Sequence, residues 1–127
     1  MRHPENERLP DVFVFRNDAS LLYFNVENMR DSFFELLNAR GDGVKLVVFF
    51  LGTVPMIDAA GAELLEELHH ALAERGITLR LAEARGRVRE TLRRSGFAEH
   101  CGKVEENQPV SRVVADWRRE QAALVSS

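Results

Sequence analysis

Leu46-Val47-Val48-Phe49-Phe50-Leu51-Gly52-Thr53-Val54-Pro55-Met56-Ile57-Asp58-Ala59-Ala60-Gly61 decides how this chain folds. The first six residues are apolar with no polar alternation. Six residues is strand length, and a strand without a polar face is usually central and covered on both sides. Thr53-Val54-Pro55 then breaks the pattern, within a loop from Gly52 to Ile57. Asp58 stands where a helix N-cap belongs. Its carboxylate can accept bonds from the first free backbone N–H groups, and its charge suits the positive helix end. The helix beyond places Gly61, Leu64, Leu65, Leu68 and Leu72 inward. Glu63, Glu66, Glu67, His70 and Glu74 take the other side, and Gly76 ends the helix.

Upstream, Val12-Phe13-Val14-Phe15 is β-branched and aromatic and reads as a strand. Asn17-Asp18-Ala19-Ser20 is turn chemistry, and Leu21-Leu22-Tyr23-Phe24 resumes strand character, so 11–24 reads as a hairpin. Val26, Met29, Phe33 and Leu37 then recur at helical steps, predicting a helix from Val26 to Arg40 that stops at Gly41-Asp42-Gly43. Downstream, Ile77, Leu79 and Leu81 alternate with Thr78 and Arg80, as in a strand with one buried face or near a sheet edge. Gly86 to Arg94 reads as a short helix with Val88 and Leu92 inward, Gly96 as its end, and Phe97 as folding back onto the core. Lys103 to Glu105 reads as a short strand. Pro109 opens a last helix with Val110, Val113, Val114 and Trp117 apolar. Strands joined through helices run parallel, with right-handed crossovers. The expected fold is α/β: a mixed sheet of four to five strands packed with about four helices.

The chain has 127 residues, which suits one domain. Residues 1–10 read as a polar linker or tail, 11–123 as the domain and 124–127 as a frayed end. Hydrophobic residues make up 45% and charged residues 29%, a globular balance rather than a disordered one. Lys and Arg number 17 against 20 Asp and Glu, giving −3, whereas a nucleic-acid binder is normally basic. One cysteine, Cys101, excludes an intramolecular disulfide and a thiolate-only zinc site. The apolar runs are far shorter than the roughly 20 residues that span a bilayer. Met1 to Pro10 lacks the apolar core of a signal peptide. These readings predict a soluble, intracellular domain.

The residues offer no catalytic constellation: neither a G-x-x-x-x-G-K-[ST] phosphate loop nor a G-x-S-x-G elbow occurs. His69 and His70 are adjacent, so on a helix they point about 100° apart and do not share a metal. His100-Cys101 offers two ligand types, but no other pair stands nearby at zinc-like spacing, so no metal is expected. Arg85, Arg87, Arg89, Arg93 and Arg94 crowd into ten residues, with Arg85, Arg89 and Arg93 able to share a helix face. They read as a solvated face or, alternatively, as a contact patch for phosphates, acidic lipid headgroups or an acidic partner. Phe34 reads as the flank of the buried stripe beside Leu37, the alternative being an exposed partner contact. Thr53, Val54, Pro55, Met56, Ile57, Asp58, Ala59, Ala60 and Gly61 form the candidate contact site. They lead from a buried strand to a helix start whose small side chains permit close approach.

The run from Leu46 through Leu51, then Ile57-Asp58-Ala59-Ala60-Gly61, then Leu64-Leu65, Leu68 and Gly76-Ile77, resembles the core signature of STAS domains. These occur in sulfate transporters and in bacterial anti-sigma factor antagonists. Val88-Arg89, Leu92 and Ser95-Gly96-Phe97 fit the family's third helix, so the likeness covers about Asp11 to Trp117. In the antagonist branch a phosphorylated serine or threonine precedes the motif glycine. Ala60 stands there, after Ala59, so the resemblance implies no phospho-acceptor. Val14-Phe15-Arg16 and Leu21-Leu22-Tyr23-Phe24-Asn25-Val26-Glu27 look instead like the opening of SulP-type permease STAS domains, with Val26 where Ala is common. The short Gly41-Asp42-Gly43 connection leaves no room for the insertion of animal members, which implies a bacterial-type domain.

The resemblance implies a non-catalytic regulatory and interaction domain from the C-terminal, cytoplasmic end of a SulP-family inorganic anion permease of sulfate type. Its place would be the cytoplasmic face of the inner membrane. Its partners would be the parent's membrane domain and a carrier or regulatory protein, with homodimerisation a further expectation and nucleic acid none. No cofactor is expected beyond weak guanine or adenine nucleotide binding, for which the Ala60 and Gly61 N–H groups would attract phosphate and Asp58 would repel it. The alternative is a stand-alone STAS partner-switching protein that lacks the phospho-acceptor hydroxyl.

Overall fold

The computed structural model describes residues 9–101 and 108–126. The order is β1 (Val12–Arg16), α1 (Val26–Arg40), β2 (Leu46–Phe50), α2 (Ala59–Glu74), β3 (Thr78–Ala82), α3 (Gly86–Arg94), α4 (Phe97–Cys101) and α5 (Val110–Ser126). Among the described residues the sheet has three strands in the order β1-β2-β3, all parallel. Every residue of β2 is buried, as its unbroken apolar run requires. Among the described residues β3 lies at an edge, in keeping with its mixed pattern.

Register explains the two packing faces. Phe13 pairs with Val47 and Val47 with Leu79, and two residues on Phe15 pairs with Phe49. These side chains share a core with Met29, Phe33 and Leu37 of α1, the leucines of α2, Val88 and Leu92 of α3 and Phe97 of α4. Phe15 packs on Phe49 and Phe33 with ring centroids 5.0 and 5.2 Å away. The alternate residues Val12, Leu46, Val48, Phe50 and Ala82 point the other way, onto Val113 and Trp117 of α5. Both crossovers step in one direction across the sheet, so right-handedness puts α1 and α2 on the same face. α5 covers the second face, which is why β2 needs no polar side chain.

Three expectations are corrected. The 11–24 hairpin does not form. Leu21 makes an isolated parallel bridge to Ile57, and the chain turns at once. The Asn25 side chain drives that turn: its Oδ1 accepts the Leu22 N–H and its Nδ2 donates to the Ser20 carbonyl. The sheet is therefore parallel rather than mixed among the described residues, and four to five strands are not seen there. The strand expected at 103–105 lies outside the described residues, as do residues 1–8 of the expected tail. There are five helices rather than about four, because Phe97 does more than fold back: it opens α4 and is buried. α5 runs to Ser126, with Leu124 and Val125 exposed. Phe34 is half-buried on the flank, its ring edge-on to Phe33 at 5.2 Å.

Candidate functional site

The loops after the three strands meet at the carboxyl edge of the sheet, where open α/β sheets usually bind ligands. Asp58 organises this edge. Its backbone is extended and its Oδ1 accepts the Gly61 N–H at 2.9 Å, the N-cap bond expected of it. Its Oδ2 accepts the Tyr23 N–H at 2.9 Å, a contact across 35 residues that the sequence does not announce. The Leu21 N–H donates to the Met56 carbonyl and the Asp58 N–H to the Leu21 carbonyl. Thr53 Oγ1 donates to the Asn17 carbonyl at 3.3 Å. The 17–25 and 52–58 loops are thus tied together at four points.

Gly61 is required by this closure. A Cβ there would stand 2.9 Å from Leu21 Cβ and still nearer the Leu21 carbonyl oxygen, so the loop could not lie on the helix start. The nine candidate residues divide accordingly. Val54, Ile57 and Gly61 are buried and hold the loop. Thr53, Pro55, Met56 and Ala59 are exposed, and Asp58 and Ala60 are half-buried. Asp58 holds the Gly61 N–H, so one of the two expected phosphate donors is already occupied.

Sequence reasoning missed a strongly exposed feature of this edge. Tyr23 and Phe24, read as strand residues, are 76% and 67% exposed and stack edge-to-face at 5.5 Å. The available signal was Asn25, whose amide closes turns readily. Two large aromatics in water and exposed Met56, carried on loops tied together by hydrogen bonds, give the candidate surface an apolar rim.

The arginine cluster is divided by the fold. Arg85 occupies the N-cap of α3 in extended conformation, outside the helical stripe, and its Nη2 reaches the Gly52 carbonyl at 3.4 Å. Arg89 is half-buried. Arg87, Arg93 and Arg94 are exposed, and Arg94 pairs with Glu90 at 3.5 Å. Arg85 borders the carboxyl-edge loops through its bond to Gly52.

Two other features lie elsewhere. A cavity of about 460 Å³ opens at the amino edge of the sheet, lined by Lys45, Thr78, Trp117 and the Asp11–Arg118 pair. On the outer side of α2, Glu66 and His70 approach Cys101 of α4, and His100 Nδ1 lies 2.7 Å from Glu66 Oε2. Sequence spacing offered His100-Cys101 no neighbouring pair; the tertiary fold brings Glu66 and His70 there from 30 or more positions away. Burial pushes the Cys101 thiol up to about 11, with the Glu66 charge adding to it.

The STAS domain profile matches residues 3–115. A probable sulfate transporter of Mycobacterium tuberculosis is 26% identical over 100 residues, covering 79% of this chain and 18% of that protein. Sulfate transporter 1.3 of Arabidopsis thaliana is 28% identical over 109 residues, covering 80% and 17%. The chain thus spans under a fifth of the length of these curated relatives. Among solved structures, a sulfate transporter family protein from Wolinella succinogenes superposes with TM-score 0.69 at 22% identity, covering 91% of this chain and 88% of the other. The STAS domain of a Vibrio cholerae SulP transporter gives 0.66 at 20%, covering 88% and 85%. Murine Slc26a9, an anion transporter, gives 0.67 at 17%, covering 73% of this chain and 15% of its own. A profile match over nearly the whole chain, on a fold shared with these structures, makes this chain a member of the STAS domain family.

Proposed function

We propose that this domain is the non-catalytic regulatory and interaction module of a SulP-type inorganic anion transporter, at the cytoplasmic face of the inner membrane. The observation that carries this reading is that its curated relatives are sulfate transporters of which it spans under a fifth. Ala60 adds support, since the position before the motif glycine has no hydroxyl to phosphorylate. The parent's membrane domain, or a carrier or regulatory protein, would meet the carboxyl-edge surface: Thr53, Pro55, Met56, Ala59, Ala60, Tyr23 and Phe24. An apolar rim around tightly fixed loops suits a protein partner better than a small phosphate ligand. Calorimetric titration with GTP, GDP, ATP and ADP is expected to give no heat at millimolar ligand.

The reading frame upstream of Met1 is the direct test. An in-frame series of hydrophobic segments is expected. A stop codon with a ribosome-binding site would support the stand-alone partner-switching alternative. In the complete transporter, deletion of 11–126 should change sulfate uptake without abolishing membrane insertion. Arg87 and Arg93 are exposed cations that suit an anionic lipid surface. Salt-sensitive sedimentation with anionic vesicles would support that contact, and salt-insensitive or absent binding would remove it.

A further inference from the structure

We propose that Glu66, His70 and Cys101 form a binding site for one soft divalent metal ion, zinc by its chemistry, which fastens α4 to α2. The proposal does not depend on the transporter reading. Each residue offers one ligand atom, and the three atoms lie within 4.8 Å of one another. Glu66 and His70 are four apart on α2 and so share one side of the helix, with His70 Nε2 3.9 Å from Glu66 Oε2. Cys101 comes from the last residue of α4, which Phe97 anchors in the core. The site therefore joins two elements whose relative position is fixed by packing.

The donor set selects the ion. A thiolate, an imidazole and a carboxylate together are zinc ligands, whereas magnesium and calcium take oxygen. Zinc–nitrogen and zinc–sulfur bonds of about 2.0 and 2.3 Å put tetrahedral ligand atoms roughly 3.3–3.7 Å apart. His70 is 60% exposed, so its ring can turn inward to close the remaining gap. Its exposure also gives the ion a way in from solvent. As the metal–sulfur bond forms, the Cys101 proton passes to solvent and the imidazole binds as the neutral base. His100 completes the arrangement from outside: its Nδ1 lies 2.7 Å from Glu66 Oε2 and orients that carboxylate. A solvent molecule fills the fourth position.

The test is titration of the untagged chain with cobalt(II), followed in absorbance, then displacement by zinc. Wild type is expected to take up one cobalt per chain, with a thiolate-to-cobalt charge-transfer band and the intense visible bands of a tetrahedral ion. Cys101→Ser, nearly isosteric, should abolish the charge-transfer band. His70→Ala, at an exposed position, should weaken zinc by more than the roughly 10- to 100-fold that an orienting partner is worth. His100→Gln should weaken it within that range. Circular dichroism of each variant checks that the fold is kept. Zinc should also raise the melting temperature of wild type in a concentration-dependent way, and not that of His70→Ala. Absence of the charge-transfer band in wild type, or equal zinc affinity in wild type, Cys101→Ser and His70→Ala, would overturn the proposal.

Discussion

Asp58 holds the Tyr23 backbone N–H with one carboxylate oxygen while its other oxygen caps the helix that begins at Ala59. One side chain thereby fixes both the start of α2 and the loop that displays the exposed aromatic pair. Asp58→Ala should lose a cap worth about 0.5–2 kcal/mol and a long-range bond worth about 1 kcal/mol. Asp58→Asn keeps a good cap acceptor and should lose less. Urea unfolding of the two variants checks the order.

Gly61→Ala ordinarily favours a helix by about 1 kcal/mol. Here the added methyl meets Leu21 inside van der Waals contact. A net destabilisation of about 1–3 kcal/mol is expected, the usual cost of overpacking. A variant as stable as wild type would show that the Leu21 loop is not pressed against α2. Denaturant midpoints decide this.

Tyr23 and Phe24 should behave in the opposite way. The double alanine variant should unfold within about 0.5 kcal/mol of wild type, because both side chains stand in water. If the proposed transporter parent holds, the variant should alter anion uptake or site-specific cross-linking between this domain and the parent's membrane domain. Unchanged uptake and cross-linking would remove the carboxyl edge as the contact face.

Asp11 and Arg118 form a two-bond pair at 3.0 Å joining the start of β1 to α5. The Arg118 hydrogen bonds hold the Asp11 carboxyl below its ordinary value of 3.8. A depressed carboxylate contributes stability above its unfolded pKa and loses it as pH falls through the folded value. The contribution should thus be present at neutral pH and fade from about pH 5 downward. The pair is partly exposed, so it is worth at most about 1 kcal/mol. Arg118→Gln should lower stability at pH 7 and flatten the acid limb. Melting temperatures across a pH series compare the two slopes.

Trp117 is the single tryptophan and packs α5 onto the second sheet face. Trp117→Ala should cost about 3–5 kcal/mol. Its Nε1 is buried with no hydrogen-bond partner among the described residues. Trp117→Phe removes that unsatisfied donor along with some volume, so it should cost less than about 1.5 kcal/mol. In wild type its fluorescence reports whether α5 is docked.

Elements whose signal is chemical and short-range are legible from the residues alone. The unbroken apolar run of β2, the Asp58 cap, the stripes of α1 and α2 and the edge character of β3 follow from periodicity and end-group chemistry. The family likeness was legible because those elements come in a fixed order, and the missing hydroxyl at Ala60 needed only reading. Features that depend on distant partners emerge only when the elements pack. Strand composition in Leu21 to Phe24 could not show that Asn25 would turn the chain and that Leu21 would pair with Ile57 instead of Val12 to Phe15. No spacing shows that Asp58 would spend its second oxygen on Tyr23, or that Glu66 and His70 would stand beside Cys101. Periodicity reports which side of an element is apolar; only the packing of elements reports what that side, or its polar reverse, comes to face.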